Sequence, residues 1–210
     1  MALGRAQIFG VAVALADAHG LAAVTMRRLG AELGVEAMSL YHHVANKNAL
    51  LDGMVDAVFT EIALPAGPDW RAALTRRYGS AREVLVRHPW SIGLMESRSS
   101  PGPATLRHHD AVLGCLFGAG FPVPLAASAF AILDSYLYGF ALQEASLPFS
   151  PGAETTAVAE SIMSSFADGE FPHLTRLGRE HVMQPGYAFG AEFDLGLTML
   201  LDGFEAALGA

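Results

Sequence analysis

Apolar side chains recur at helical spacing along most of this chain. Ile8, Val11, Ala12 and Leu15 lie three or four residues apart, as on one face of a helix, which predicts a first helix over residues 5–19. The same spacing predicts helices at 26–33, 36–43, 46–63, 69–87, 90–96, 104–118, 124–147, 154–167 and 187–208, with a less regular segment at 171–184. No segment alternates apolar and polar residues as a half-buried strand does. The predicted fold class is therefore all-α.

The predicted helices fall into two groups, separated by a segment that breaks helices. This segment reads Leu64-Pro65-Ala66-Gly67-Pro68, and proline both lacks the amide hydrogen and keeps the preceding residue out of helical conformation. We therefore predict an N-terminal domain over residues 1–63 and a larger helical domain over residues 69–210.

The two short helices around Gly34 have the layout of a helix-turn-helix. Thr25 is a good N-cap for the helix over 26–33, and Gly34 supplies a turn at which a positive φ costs glycine little. Gly30 has no side chain and lets the two helices approach closely. Because a helix-turn-helix places its second helix in the DNA major groove, the N-terminal domain is predicted to bind DNA.

The charge distribution affects this prediction. The chain has a net charge of −8, which is unfavourable for contact with phosphates. Within the helix-turn-helix segment, however, Arg27, Arg28 and Lys47 outnumber Glu32 and Glu36, which gives a net charge of 3 − 2 = +1. This basic patch is small, so we expect modest DNA affinity per subunit and a need for two subunits.

Ten residues are candidates for contact with DNA. They are Thr25, Arg27, Arg28, Ala37, Met38, Ser39, Tyr41, His42, His43 and Lys47. A guanidinium matches guanine O6/N7 or a phosphate, so we expect Arg27 to reach either group and Arg28 to bind phosphate. The apolar Ala37 and Met38 suit a thymine methyl group, and Lys47 offers its charge to a phosphate near a helix N-terminus.

Four other candidates carry polar hydrogens near the second short helix. Ser39 can bond a base or a phosphate, and Tyr41 and His43 can donate to phosphates. Tyr41 and His42 have an alternative role, in which they pack between the two helices.

Composition and sequence also constrain the class of protein. Hydrophobic residues make up 52% of the chain and charged residues 16%, which allows a substantial core and argues against disorder. Cys115 is the only cysteine, so an internal disulfide is impossible. We expect neither a secretory signal nor a membrane-spanning helix. The predicted location is the cytoplasm.

Three segments resemble one family of regulators. Residues 25–52, T-M-R-R-L-G-A-E-L-G-V-E-A-M-S-L-Y-H-H-V-A-N-K-N-A-L-L-D, resemble the DNA-binding domain of TetR-family transcriptional repressors, with the turn glycine, Leu-Tyr-x-His-Val and Asn-Lys at the family's spacing. Residues 136–144 and 193–208 resemble the C-terminal domain of the tetracycline-repressor type. The resemblance implies a homodimer that binds a palindromic operator and releases it when a small molecule enters the C-terminal domain.

The chain also departs from the tetracycline repressors. Ala37 stands where they carry a glutamine that reads a base, so the operator should differ. Glu96 and Gln143 stand near the histidine and glutamate of their magnesium–drug site. We therefore expect no tetracycline–magnesium binding and no cofactor.

Two apolar stripes in the larger domain are candidates for a dimer interface. They comprise Phe189, Phe193, Leu197, Leu200, Leu201, Phe204 and Leu208 on the last helix, and Leu133, Leu137, Phe140 and Ala141 on the long helix before it. Two such helices from each subunit would form a four-helix bundle. The alternative is that both stripes pack within one subunit. A two-fold dimer matches a palindromic operator.

Nine residues of the larger domain are candidates for an effector pocket. They are Tyr78, Arg82, Trp90, Met95, His109, Val112, Leu116, Phe130 and Asp134. Such a set would line a mostly apolar cavity with a few polar groups, which suits a small, flat, apolar or aromatic effector. The alternative is that they make ordinary core contacts. The domain over 69–210 is thus predicted to bind the effector and to dimerise.

The sequence leaves other classes of function to consider. His108, His109, Asp110 and Cys115 suggest a metal or a nucleophile, but adjacent residues on a helix point about 100° apart. Motifs of zinc proteases, P-loop proteins and serine hydrolases are absent, so we predict no catalytic residue and no enzyme. A metal-sensing regulator that uses His108, Asp110 or Glu96 and a non-enzymatic helical adaptor remain as alternatives, although no metal ligand is assigned.

Overall fold

The structure, a computed structural model, describes residues 3–95, 97–98, 100–147, 153–167 and 169–209, without the side chains of 153 and 154. Within these residues the fold is all-α, as predicted, with eleven α-helices and no strand. The helices are α1 (Arg5–His19), α2 (Met26–Leu33), α3 (Ala37–Leu40), α4 (Lys47–Phe59), α5 (Trp70–Arg87), α6 (Ile92–Met95), α7 (Pro103–Gly118), α8 (Val123–Ala145), α9 (Ala153–Ser164), α10 (Pro172–Leu177) and α11 (Glu192–Leu208). Short 3-10 turns lie at Leu21–Ala23, Pro89–Ser91 and Phe189–Ala191, and a π-helical turn at Gly178–Val182.

Several helix ends lie at the capping residues that the sequence indicates. The Thr25 side chain accepts a hydrogen bond from the Arg28 amide at 3.2 Å and starts α2. The Asn46 side chain accepts one from the Ala49 amide at 2.9 Å and starts α4. Gly34 ends α2 with a φ of 67°, in the left-handed region that favours glycine.

Several helices are shorter than predicted, and the largest differences concern three of them. The third helix ends at Leu40 instead of His43, because residues 41–43 form tight turns in which each amide bonds the carbonyl three residues earlier. Helix α4 ends at Phe59 and a turn follows it, although the apolar pattern continues to residue 63. The last helix begins at Glu192 instead of Tyr187, because a 3-10 turn precedes it.

Glycine determines how closely α2 and α3 approach. A Cβ atom on Gly30 would lie 2.7 Å from the Val35 carbonyl oxygen and 3.1 Å from the Ala37 amide nitrogen. Both are backbone atoms, which move only if the turn itself opens. Leu29 and Leu40 are fully buried in the small core that the helix pair shares.

Helix α4 belongs to the predicted N-terminal domain but packs on helices of both predicted domains. It contacts α1 along its length and also contacts α7 and α6. The division into residues 1–63 and 69–210 therefore stays a prediction, because α4 belongs to a continuous helical core.

Helices α5, α7, α8 and α11 form the larger part of the core. The apolar stripes predicted for the dimer interface contribute many of its buried side chains, namely Leu133, Leu137, Ala141, Phe193, Leu197, Leu201 and Phe204. These seven residues pack within one subunit, so the prediction that they form a dimer interface is wrong. Periodicity identified an apolar face of each helix but not what covers it.

A different apolar stripe remains exposed on the same two helices. It consists of Ser128, Ile132, Gly139 and Leu142 on α8 and of Leu195, Met199 and Gly203 on α11. Its largest side chains are 42% to 62% exposed, and its small residues leave room for a neighbouring helix. We refer to these seven residues as the exposed stripe.

Helix α8 is also long and apolar enough, by length and composition alone, to cross a membrane. The expectation of no membrane-spanning helix assumed that no uncharged run reaches about 18 to 20 residues, and this assumption is wrong, since residues 111–133 carry no charged side chain. This uncharged run is divided by a turn between Gly118 and Val123. One face of α8 is buried against α5, α7 and α11, as in the core helix of a water-soluble protein.

Candidate nucleic-acid interface and ligand cavity

The ten candidate DNA contacts lie at the surface of the helix-turn-helix. Thr25, Arg27, Met38, Tyr41, His42 and Lys47 are exposed, and Arg28, Ala37, Ser39 and His43 are partly exposed. Met38 at the tip of α3 is 73% exposed, a large value for an apolar side chain. Tyr41 and His42 are exposed as well, which favours a contact role over the alternative of packing between the helices.

The structure adds one cation to this surface. The Arg5 side chain donates from Nε to the His43 carbonyl oxygen at 2.8 Å and brings the start of α1 beside the end of the turn after α3. Arg5 is itself exposed. The sequence analysis did not include Arg5 among the DNA contacts, because no local pattern relates residues that lie 38 positions apart.

A cavity of about 620 Å³ lies in the larger helical core. Its walls come from the end of α4 and from α6, α7 and α8, and its lining comprises Phe59, Met95, Thr105, His109, Phe130, Ala131, Asp134, Ser135 and Tyr138. The His109 ring meets the Phe130 ring edge-on at 5.3 Å between centroids and the Phe59 ring at 5.9 Å. Three residues, Met95, Thr105 and His109, also line a smaller adjoining pocket that extends to Arg98.

Four of the nine predicted effector residues line this cavity, namely Met95, His109, Phe130 and Asp134. The other five lie elsewhere. Val112 and Leu116 are fully buried core residues, and Tyr78 is buried behind Asp134, to which it donates. The predicted residues of α6, α7 and α8 include cavity-lining ones, but those of α5 do not line the cavity and Phe59 of α4 was missed, because helix periodicity does not locate the space between helices.

The two remaining predicted residues serve other contacts. Arg82 donates to the Glu144 carboxylate at 2.9 Å and lies over the Phe193 ring. Trp90 donates from Nε1 to the Asp17 carboxylate at 2.7 Å, so it connects the start of α6 to α1. Trp90 therefore belongs to the contact between helices of the two predicted domains and not to the cavity.

Polar groups meet at one wall of the cavity. Asp134 lies 13% exposed with Oδ1 2.9 Å from the Tyr78 hydroxyl and 3.9 Å from Nη1 of the fully buried Arg77. Burial raises the pKa of the Asp134 carboxyl, and the Arg77 charge and the Tyr78 hydrogen bond oppose that rise. Nearby, burial and then the Arg77 charge lower the pKa of His108 to about 4, so His108 is neutral at pH 7. Sequence reasoning missed Arg77.

Two carboxylates of α4 connect the helix-turn-helix side to the cavity. Asp52 accepts from Nε of Arg98 at 2.6 Å. One turn later, Asp56 Oδ1 accepts from the Thr105 amide at 2.9 Å and from the Thr105 hydroxyl at 3.2 Å. Thr105 lines both the cavity and the smaller pocket. These long-range contacts leave no signal in the local sequence pattern.

A second connection joins α1 to the end of α5. The buried His88 ring lies between two carboxylates, with Nδ1 2.8 Å from Asp17 and Nε2 3.2 Å from Glu61. Asp17 also receives the Trp90 hydrogen bond. Residues that position the helix-turn-helix domain thus contact residues just before α6.

The candidate metal ligands do not cluster in the described part of the chain. No group of three or more His, Cys, Asp or Glu side chains among these residues is placed to hold a metal ion. Glu96 lies outside the described residues, and Gln143 is exposed on α8. Cys115 lies near the Trp70 carbonyl, and burial raises the pKa of its thiol, which disfavours the thiolate form.

Comparison with known families identifies this architecture. The model described as "Bacterial regulatory proteins, tetR family" matches residues 8–54, and the model described as "Tetracyclin repressor-like, C-terminal domain" matches residues 64–208. The chain belongs to the TetR family. This TetR-family protein is a DNA-binding, ligand-responsive transcriptional repressor and not an enzyme, so the enzyme and adaptor alternatives are excluded.

The relatives of this TetR-family protein include regulators from Saccharopolyspora and Streptomyces species. It is 33% identical to an HTH-type transcriptional regulator of Saccharopolyspora erythraea, over 99% of this chain and 86% of the relative. It is 34% identical to the HTH-type transcriptional repressor DrrR1 of Streptomyces coeruleorubidus, over 95% of this chain and 76% of that one. The crystal structure of the Streptomyces coelicolor TetR family protein ActR with actinorhodin superimposes with a TM-score of 0.83 at 27% identity, covering all of both chains.

Proposed function

We propose that this TetR-family protein is a cytoplasmic homodimer that represses genes by binding a palindromic operator. It leaves the operator when a small, mainly aromatic molecule occupies the cavity. The observation that carries the proposal is the position of Thr105, which lines the cavity and donates two hydrogen bonds to Asp56 on α4. A ligand that displaces Thr105 therefore acts on the helix that follows the helix-turn-helix.

The exposed stripe on α8 and α11 supports the homodimer. An unpartnered face with Ile132, Leu142, Leu195 and Met199 is unusual for a monomer, and its glycines permit close helix packing. Two helices from each subunit would form a four-helix bundle about a two-fold axis. The two recognition helices would then meet major grooves about 34 to 36 Å apart, or slightly more.

Exposed side chains around α3 support the operator contacts. Arg27 is placed for a guanine or a phosphate, and Met38 for a thymine methyl group. Lys47 begins α4, where the helix N-terminus adds to its attraction for a phosphate. Arg5 contributes a further positive charge beside His43.

Release from the operator is proposed to be a shift between two conformations. The ligand must bind more tightly to the conformation in which the recognition helices are misplaced, since equal affinity for both conformations would shift nothing. The contacts of Asp52 and Asp56 with Arg98 and Thr105 supply a connection through which the cavity biases α4.

Selection of bound DNA from a random pool tests the proposed function. We expect enrichment of a palindrome with half-sites about one helical turn or slightly more apart. The enriched duplex then serves in a screen for compounds that release it from the full-length protein. If no palindromic sequence is enriched at low salt, the proposed function is wrong.

A further inference from the structure

A charged group with unusual surroundings lies behind the Asp134 wall of the cavity. The Arg77 guanidinium is fully buried, and none of its three nitrogens makes a hydrogen bond within the part of the chain that the structure describes. Its nearest carboxylate oxygen, on Asp134, is 3.9 Å away, and it stacks on the Tyr78 ring at 4.3 Å. A buried cation with this little compensation destabilises the fold, which suggests a role other than stability.

Asp134 separates Arg77 from the cavity. It receives the Tyr78 hydroxyl on Oδ1, and its side chain forms part of the cavity lining. A carboxylate has about four acceptor positions on its two oxygens, so acceptor capacity remains after the Tyr78 hydrogen bond. The cavity therefore presents to a ligand a strong hydrogen-bond acceptor that is held in place from behind.

The net charge of the groups around Asp134 determines which kind of hydrogen-bond donor on a ligand is favoured. Arg77 and Asp134 together carry no net charge, and His108 beside them is neutral. A cationic ligand would gain little from this neutral pair, and an anionic ligand would meet the carboxylate first. A neutral O–H donor gains a charge-assisted hydrogen bond to Asp134 and leaves the net charge of the site at zero.

The rest of the lining selects the shape of the ligand. Phe59, His109, Phe130 and Tyr138 supply ring faces and edges around the same cavity, and aromatic rings pack favourably on such surfaces. We propose that the cavity binds a neutral hydroxylated aromatic molecule whose phenolic O–H donates to Asp134, with Arg77 and Tyr78 as positioning residues. This inference rests on the proposed function, since it names the chemical class of the ligand.

Four matched compounds test the inference on the wild-type protein by calorimetry. They share the naphthalene ring system and differ at one position: 2-naphthol, 2-methylnaphthalene, 2-naphthoate and 2-(aminomethyl)naphthalene. We expect 2-naphthol to bind about ten-fold more tightly than 2-methylnaphthalene, and the anion and the cation to bind more weakly than 2-naphthol. Equal affinity of the first two compounds, tighter binding of either ion, or no binding of any compound would overturn the inference.

Asp134→Asn tests the residue itself. An amide oxygen is a weaker acceptor than a carboxylate, so this variant should lose most of the preference for 2-naphthol and keep its affinity for 2-methylnaphthalene. The Asp110→Asn variant, at an exposed carboxylate of α7, should keep the wild-type preference. If Asp134→Asn retains the full preference, the assignment of the acceptor is wrong. If Asp134→Asn does not fold, the wild-type ratio still decides the inference.

Operator binding is measured on the same protein samples so that the two proposals can be separated. Failure to bind any palindromic duplex, with the 2-naphthol preference intact, would refute the proposed function alone. Binding to a palindrome without that preference would refute only the inferred ligand class.

Discussion

Single residues set the geometry of the helix-turn-helix, and most of them are recognisable in the sequence. Thr25 caps α2, Asn46 caps α4, and Gly34 occupies the left-handed turn between α2 and α3. Such signals are local, because each depends on neighbours within three or four residues. Arg5 and Arg77 were not predictable in this way, since their partners lie far along the chain.

Gly30→Ala should destabilise the helix-turn-helix. The added methyl group would press on the Val35 carbonyl and the Ala37 amide, which are backbone atoms. We expect a cost of about 1 to 3 kcal/mol in the free energy of unfolding and weaker operator binding. Gly10→Ala is the matched control, because a Cβ there meets nothing within 4 Å. It should leave stability unchanged or raise it by about 0.5 to 1 kcal/mol. Equal urea midpoints for the two variants would contradict this reading.

Lys47→Ala should weaken binding to all DNA sequences alike. The side chain is exposed at the first residue of α4, where a phosphate contact carries no sequence information. The slope of the logarithm of affinity against the logarithm of salt concentration should fall by about one unit. Arg179→Ala, at an exposed arginine far along the chain in the π-helical turn, serves as the control. An unchanged slope for the Lys47 variant would show that Lys47 does not contact a phosphate.

His108 should make the protein less stable in mild acid. Its pKa is about 4 in the folded protein and 6.5 for an ordinary histidine. The unfolded chain therefore binds more protons between these pH values, and stability falls as pH decreases through this range. Between pH 7 and pH 5, the free energy of unfolding, measured with urea, should fall by about 1 to 2 kcal/mol more for the wild type than for His108→Gln. The same loss in both proteins would show that His108 does not contribute.

At the scale of elements, the sequence predicts where the helices lie along the chain well, but it predicts poorly which helices pack against each other. The order of helices and most of their bounds follow from periodicity, capping residues and prolines. Which face of a helix is covered depends on packing, and this is why seven residues predicted for the dimer interface lie in the core. For the same reason, the sequence predicted only four of the residues that line the cavity, namely Met95, His109, Phe130 and Asp134.

Helix α4 is the element through which the cavity should control DNA binding. Asp56→Asn weakens the acceptor for the Thr105 amide and hydroxyl without removing the side chain. We expect operator affinity without ligand to stay within a factor of about two to three, and the ligand-induced decrease in operator affinity to become at least about five-fold smaller. Fluorescence anisotropy with a releasing compound from the operator screen provides the measurement, and Asp110→Asn provides the control. A full response in the Asp56 variant would show that coupling takes another route.

At the scale of the whole molecule, dimerisation through the exposed stripe would compensate for the small basic surface of each subunit. A net charge of −8 disfavours DNA binding by a single subunit, and only a few cations surround α3. Two subunits joined through α8 and α11 would present two such surfaces at a fixed distance. The second contact would then form at a high effective concentration.

Met199→Glu should separate the subunits. Met199 is 62% exposed on α11, so a charge there should leave the fold of each subunit intact but oppose burial in a dimer. We expect a monomer in sedimentation velocity at micromolar concentration, with operator affinity reduced at least about 100-fold. Phe117→Glu, at a 46% exposed residue of α7, should remain dimeric. A dimeric Met199 variant would place the interface elsewhere.

The buried Arg77 has a consequence for the thermal stability of the repressor with and without its ligand. The incompletely compensated Arg77 cation beside the cavity reduces the stability of the fold, so stabilisation remains to be gained at this site. A ligand that completes the hydrogen bonds of Asp134 adds its binding free energy to the folded state. The repressor with ligand bound should thus unfold at a higher temperature than the repressor alone.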